Sequence, residues 1–259
     1  MSDPSPATPF DQDALRRAVD TVLADHLSGQ MRDARRHGLP REAVQALSDF
    51  LGAGGKRIRP VLCVAGRQAA GGAGAPEAVL RAAASLEMFH AFALIHDDII
   101  DASDTRRGRP TVHRQVGTEA AILVGDLALV LADDLLHSAG LTPDQLAAVL
   151  PVANQLRADT IYGDLRKGKA TVLMALALHH ADAGQLRALR RHVGNPYLNH
   201  DDAAHVRTIL IDTGARAALE EMIAQRRQNA LTTLDTAALP LHIKAVLRSL
   251  AFTTTSRTT

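Results

Sequence analysis

The chain of 259 residues sets 29 Lys and Arg against 28 Asp and Glu, a net charge of +1, which argues against a broad polyanion-binding surface and so against nucleic acid as a partner. Hydrophobic residues make up 46%, enough for a sizeable core, and the lone Cys63 excludes an intrachain disulfide or a cysteine-based zinc site. The acidic, proline-rich start does not read as a signal peptide and no uncharged apolar run reaches the ~18 residues of a membrane span, so the expected setting is cytoplasmic, with no transmembrane segment.

Aromatic residues are 3% and Trp is absent, while Ala, Leu and Arg dominate long stretches, which favours helix over strand. Residues 1–10 read as a flexible arm. A helix is expected at 11–27, where Leu15, Val19, Val22 and Leu23 share a face, and another at 41–51, closed by Gly52, Gly54 and Gly55. A largely buried helix over 60–70 ends in the glycine-rich 71–76, and 77–101 runs unbroken with an apolar middle. Gly108 and Pro110 mark a loop, 119–139 is a further apolar helix, and 143–162 contains Pro151 as a start or a kink. Later helices are expected at 171–180, 182–193, 201–213, 216–234 and 239–250, with 253–259 as a disordered tail. The reading is all-α, one bundle-like domain over 11–252.

The most informative stretch is His96-Asp97-Asp98-Ile99-Ile100-Asp101, followed by a loop with Arg106, Arg107 and Arg109. On a helix Asp97 and Asp101 stack one turn apart, with Asp98 about 100° round from Asp97. Three carboxylates at a helix C-terminus repel each other and the helix dipole unless something neutralises them. Mg²⁺ does so while keeping positions for substrate phosphates, and the adjacent arginines offer planar donors to the same oxygens. The plainer alternative is a solvated helix end whose aspartates pair with those arginines.

A second basic cluster, Gly54-Gly55-Lys56-Arg57-Ile58-Arg59-Pro60, stands where a helix is about to begin. Glycines allow close approach of an anion to the backbone, and the free N–H groups of a helix start favour negative charge. The spacing is not that of a Walker loop.

Taken in order, Gly-Gly-Lys-Arg-x-Arg-Pro, Glu87-x-x-His90, Asp-Asp-x-x-Asp and Arg-Arg-Gly-x-Pro-Thr-x-His resemble the trans-prenyltransferases of the isoprenyl diphosphate (polyprenyl) synthase family. The resemblance implies a helical bundle of the isoprenoid synthase type. It further implies that Asp97, Asp98 and Asp101 bind Mg²⁺ bridged to an allylic diphosphate, with Arg106 on that same diphosphate. Lys56, Arg59, His90 and Arg107 would grip isopentenyl diphosphate. An aromatic five positions before the aspartates, as Phe92 is, goes in this family with geranylgeranyl-type products; ordinary core packing of Phe89 and Phe92 is the other reading. Cys63 reads as a core residue, and His96 either as a support for the aspartates or as a simple helix residue.

The sequence departs from the family in one respect. A second aspartate-rich motif is missing, since Asp133-Asp134 and Asp201-Asp202 read as surface acids. Residues 154–163 resemble the start of the family's next helix, and 164–178 resemble the segment after the second motif, so the domain reads as abridged near 163/164. Lys169 remains as a diphosphate contact. Two expectations remain: an unusually short prenyltransferase, or an impaired relative acting as partner subunit of a full-length synthase, the chain being a homodimer or a heteromer. A terpene cyclase is a third thought, opposed by the Lys56 loop.

Overall fold

The computed structural model describes residues 10–37, 41–167, 172–193 and 199–255. Its first helices are α1 (Gln12–His37), α2 (Arg41–Gly52), α3 (Ile58–Ala69) and α4 (Glu77–Ile100). A hairpin of β1 (Thr105–Arg106) and β2 (Arg109–Pro110) comes next, then α5 (Val112–Val116), α6 (Thr118–His137) and α7 (Pro143–Lys167). The remainder is α8 (Val172–His180), α9 (Ala183–His192), α10 (His200–Asp212), α11 (Ala215–Thr236) and α12 (Leu241–Thr255). The all-α expectation holds among the described residues, the two-residue strands aside.

Local differences from the sequence reading have local causes. The first helix runs on to His37 because nothing breaks it before Pro40, and Ala34 extends its buried stripe of Leu15, Val19, Leu23 and Leu27. α3 starts two residues before Pro60, which sits in the first turn, where its missing N–H is not needed. Pro151 lies inside α7, which continues across 163/164 as one helix. Thr253, Thr254 and Thr255 belong to α12 and not to a tail, each hydroxyl donating to the carbonyl four residues back at 2.7 to 2.9 Å. Residues 1–9 and 256–259, the rest of the expected arm and tail, lie outside the described residues.

Where the sequence suggested one domain, the chain divides into two compact units, each filled by its own side chains. One takes the chain to Ile161 and returns for Leu239–Leu247; the other holds Tyr162–Ala238 and Arg248–Thr259. In the first, α4 packs along α6 and also against α1, α2, α3 and α5. Small buried residues, among them Ala84, Ala91, Ala121, Gly125, Ala128 and Ala132, keep α4 and α6 slim, while Leu47, Val61, Met88, Ile95, Leu135 and Ile243 fill the surrounding space. In the second unit Ala177, Leu189, Ile209 and Ala215 are buried, with Leu173, Met174, Val206 and Leu210 packed against them. Asp182 starts α9 with a reciprocal cap, its carboxylate accepting from Gly184 and Gln185.

By length and composition α4 could cross a bilayer, which the sequence reading had excluded, because only Arg81 and Glu87 interrupt it between its first residue and Asp97. In this fold it is the central helix of the first unit, with Ala83, Ala84, Met88, Phe89, Ala91 and Ile95 all buried against protein.

Candidate functional site

The C-terminal end of α4 and the hairpin after it form one bonded assembly. Asp98 is 1% exposed, and both its oxygens accept from Arg106, from Nε and Nη2 at 2.7 Å each. This bidentate pair holds the guanidinium above its ordinary pKa against the opposing effect of burial, helped by Asp97 at 3.9 Å. Asp97 is about a quarter exposed, and Asp101, which caps α4, is exposed.

The hairpin exists because a two-residue turn matches strand twist when both central residues take positive φ. Thr105 pairs with Pro110 and Arg106 with Arg109, which leaves Arg107 and Gly108 at the turn with φ of 53° and 73°. Gly108 is free to do this; Arg107 is held there by donating through Nη1 to the carbonyl of Gly54. Thr111, 1% exposed, closes the base by donating its hydroxyl to Ser103 O at 2.8 Å, and Ser103 N in turn bonds Asp98 O at 2.9 Å. Gly108 and Pro110 had suggested only a loop, so the hairpin and α5 went unread.

The contact from Arg107 to Gly54 joins the two basic segments. A Cβ on Gly55 would stand 3.0 Å from the Arg107 guanidinium, so the loop presents bare backbone at that point. Lys56 is exposed and Arg59 partly buried. Between them Arg57 is 4% exposed, at φ 46°, and donates to Asp20 Oδ1 at 2.8 Å, Glu87 Oε1 at 2.8 Å and Leu51 O at 2.7 Å. The first arginine of the basic motif therefore ties α1, α2 and α4 together. Glu87, a lone acid among buried apolar residues, was the sequence signal for such a partner. A cleft of about 640 Å³ lies beside the hairpin, lined by Arg106, Arg107 and Arg109 and by Asp49, Phe50 and Ala53 from the end of α2.

His90, one turn beyond Glu87, has a buried Nδ1 with no hydrogen-bond partner among the described residues. Burial, then the charges of Arg59, Arg107, Arg106 and Arg57, lowers its pKa to about 4. Of these four guanidiniums, Arg57 and Arg106 are paired with carboxylates. The same burial and crowding, led by desolvation and Arg57, lowers the pKa of Arg107.

Other expectations meet different outcomes. Among the described residues no three His, Cys, Asp or Glu side chains converge as a closed metal-binding group. The middle aspartate of Asp97, Asp98 and Asp101 is turned to Arg106, so the pairing of an aspartate with the neighbouring arginine is realised at Asp98. What remains fits Mg²⁺, which takes one or two carboxylates and completes its shell with water and phosphate. Asp97 and Asp101 are hard oxygen donors one turn apart at the negative end of a helix. His96 does not support the aspartates; its Nε2 lies 3.1 Å from Ile122 O and 3.7 Å from Asp126 on α6. Gly125 is required there, since a Cβ would come within 2.2 Å of that nitrogen. Asp133 pairs with Arg157 and Asp134 accepts from Gln30 at 3.4 Å, each about half exposed, as expected of surface acids. Cys63 is only partly buried, its thiol pKa raised by that burial. Lys169 lies outside the described residues.

A helical fold with an aspartate-bearing helix end facing two linked arginine loops defines a class, and comparison with known proteins bears it out. The family model described as polyprenyl synthetase matches residues 40–163. The chain superposes on a geranylgeranyl pyrophosphate synthase from Corynebacterium glutamicum, solved in complex with isoprenyl diphosphate and magnesium. The TM-score is 0.84 and the identity 30%, over 96% of this chain and 100% of that one. It is 37% identical over 133 residues to geranylgeranyl pyrophosphate synthase 11 of Arabidopsis thaliana, 51% of this chain and 35% of that protein. It is 36% identical over 172 residues to the all-trans-nonaprenyl-diphosphate synthase of Rhodobacter capsulatus, 58% of this chain and 53% of that protein. The chain thus belongs to the polyprenyl synthetase family and has the all-α isoprenoid synthase fold, and it spans from a third to a half of the length of these curated relatives.

Proposed function

We propose that this protein is a trans-prenyltransferase that joins isopentenyl diphosphate to an allylic diphosphate and releases a polyprenyl diphosphate longer by one isoprene unit, of geranylgeranyl type. The observation that carries the reading is the hairpin that joins the Lys56 loop, through Arg107 on Gly54, to the carboxylate end of α4, through Arg106 on Asp98, beside His90, whose Nδ1 has no hydrogen-bond partner among the described residues. Arg57 and Arg106 already meet carboxylates, and the diphosphates bring anionic oxygens to Arg59 and Arg107. Lys56, Arg59, His90 and Arg107 take isopentenyl diphosphate, and Lys169 is a further contact by resemblance. Arg106 takes the allylic diphosphate beside Asp97, Asp98 and Asp101. Asp97 and Asp101 would hold Mg²⁺, whose charge would offset that of the leaving group. The allylic C–O bond breaks with its electron pair on pyrophosphate, where Arg106 stabilises the new charge. The alkene pair of isopentenyl diphosphate forms the new C–C bond, and a proton passes from the adjacent carbon to the released pyrophosphate as the double bond is restored. Exclusion of water by the apolar body of α4 protects the cation. A cytoplasmic setting accords with the single free cysteine.

A second reading, a partner subunit of a full-length synthase with a binding half-site, is favoured by Asp98, whose oxygens Arg106 already occupies. The deciding experiment incubates the pure protein with labelled isopentenyl diphosphate, an allylic primer and Mg²⁺. An extended product that falls at least about a hundredfold in Asp97→Ala supports the enzyme. No product alone, but altered output when a full-length synthase is added, supports the subunit. Equal binding of farnesyl diphosphate with Mg²⁺ or with EDTA would remove the metal from either account.

A further inference from the structure

The Lys56 loop owes its shape to α1. Arg16 donates from Nε to the carbonyl of Lys56 at 3.2 Å, and Asp20 accepts from Arg57 Nε at 2.8 Å. Four residues apart, the two side chains stand one turn apart on the same face of the helix and take hold of consecutive loop residues. Arg16 is itself braced, Nη1 donating to Asp13 Oδ1 at 2.7 Å and Nη2 to Gln12 Oε1 at 3.3 Å, so its aim at Lys56 is set within α1.

These ties matter because the loop is conformationally demanding. Gly54 carries φ 80°, and Arg57, which precedes the first turn of α3, takes φ 46° and ψ 40°. A residue with a side chain keeps that left-handed conformation only where its surroundings impose it. A hollow of about 240 Å³ lies between α1 and α2 against Gly52, Gly54 and Arg57, so close packing does not impose it from that side. The left-handed turn sends Arg57 into the core. It leaves Lys56 exposed on one side and Arg59 on the other, close enough to repel the proton of His90.

We infer that Arg16 and Asp20 are positioning residues: they fix the backbone of Lys56 and the side chain of Arg57, and so hold Lys56 and Arg59 in place for isopentenyl diphosphate. This rests on the prenyltransferase reading above and gives α1, which none of the sequence motifs covers, a part in substrate binding.

The test compares wild type with Arg16→Ala, Asp20→Ala and Asp20→Asn, each checked for helicity and melting temperature. Isopentenyl diphosphate, and farnesyl diphosphate with Mg²⁺, are titrated separately by calorimetry, and KM for each substrate is measured alongside kcat. In Arg16→Ala and Asp20→Ala the Kd and KM for isopentenyl diphosphate rise about tenfold, while farnesyl diphosphate binding and kcat stay within about twofold. Asp20→Asn, which keeps an oxygen for Arg57, recovers most of the loss. If Asp20→Ala does not fold, Arg16→Ala decides, since its side chain is about a quarter exposed. Folded variants that bind isopentenyl diphosphate as wild type does, or that lose both diphosphates alike, overturn the role of Arg16 and Asp20 and leave the functional reading intact. A wild-type protein that neither binds nor consumes isopentenyl diphosphate overturns the functional reading, and this inference with it.

Discussion

At the scale of single residues, the site sets a neutral histidine among arginines, two of which, Arg57 and Arg106, are paired with carboxylates. His90 sits near pKa 4 because it is buried and because Arg59, Arg107, Arg106 and Arg57 repel its proton. An anion on those arginines offsets the repulsion, so inorganic pyrophosphate should raise the pKa of His90 by about a unit or more. An NMR titration of the imidazole, with and without pyrophosphate, measures this directly; superimposable curves would mean that the arginines around His90 do not receive the anion. Arg57 looks in the sequence like one more phosphate ligand, yet it is 4% exposed with three protein acceptors. Arg57→Ala leaves Glu87 charged and alone in the core, and the expected loss of stability is about 3 kcal/mol. Replacing the pair together, Arg57→Met with Glu87→Leu, should cost clearly less. Urea denaturation of both proteins distinguishes a structural tie from a surface charge.

Between elements, the decisive contact is that of α4 with α6. Close approach of the two helices rests on small side chains, and its tightest point is Gly125 against His96. A methyl group at 125 must displace the imidazole, so Gly125→Ala should destabilise by about 2 kcal/mol, while His96→Ala in the same protein should recover much of that loss. Simple additivity of the two changes in denaturation would show that the glycine serves some other purpose. The hairpin is the other element that decides the site. Its turn puts Arg107 on Gly54 and Arg106 on Asp98, so one short loop binds together two motifs that are about 40 residues apart in sequence.

On the scale of the whole molecule, stability inherits the sign of its buried histidines. His90 titrates near 4 in the folded state against an ordinary 6.5, and His26 is also lowered, mainly by burial with Asp134 opposing. Between those values the unfolded chain holds more protons, so this part of the stability is complete above about pH 6.5 and is lost as pH falls towards 4. Melting temperatures across that range should fall on acidification, and His90→Gln should flatten the profile; a slope unaffected by that change would place the titrating group elsewhere. What the sequence by itself determined is whatever depends on local order along the chain. The apolar spacing of Leu15, Val19 and Leu23, the glycines closing α2, and the aspartates one turn apart at the end of α4 are all readable because helix geometry is set by near neighbours. Tertiary structure alone decided which charges face water and which face each other. That Arg57 would be scaffold while Lys56 stayed exposed, and that His96 would turn to α6, depend on burial and on partners far away in the chain, which fix the electrostatic role of a side chain without leaving a mark in its neighbours.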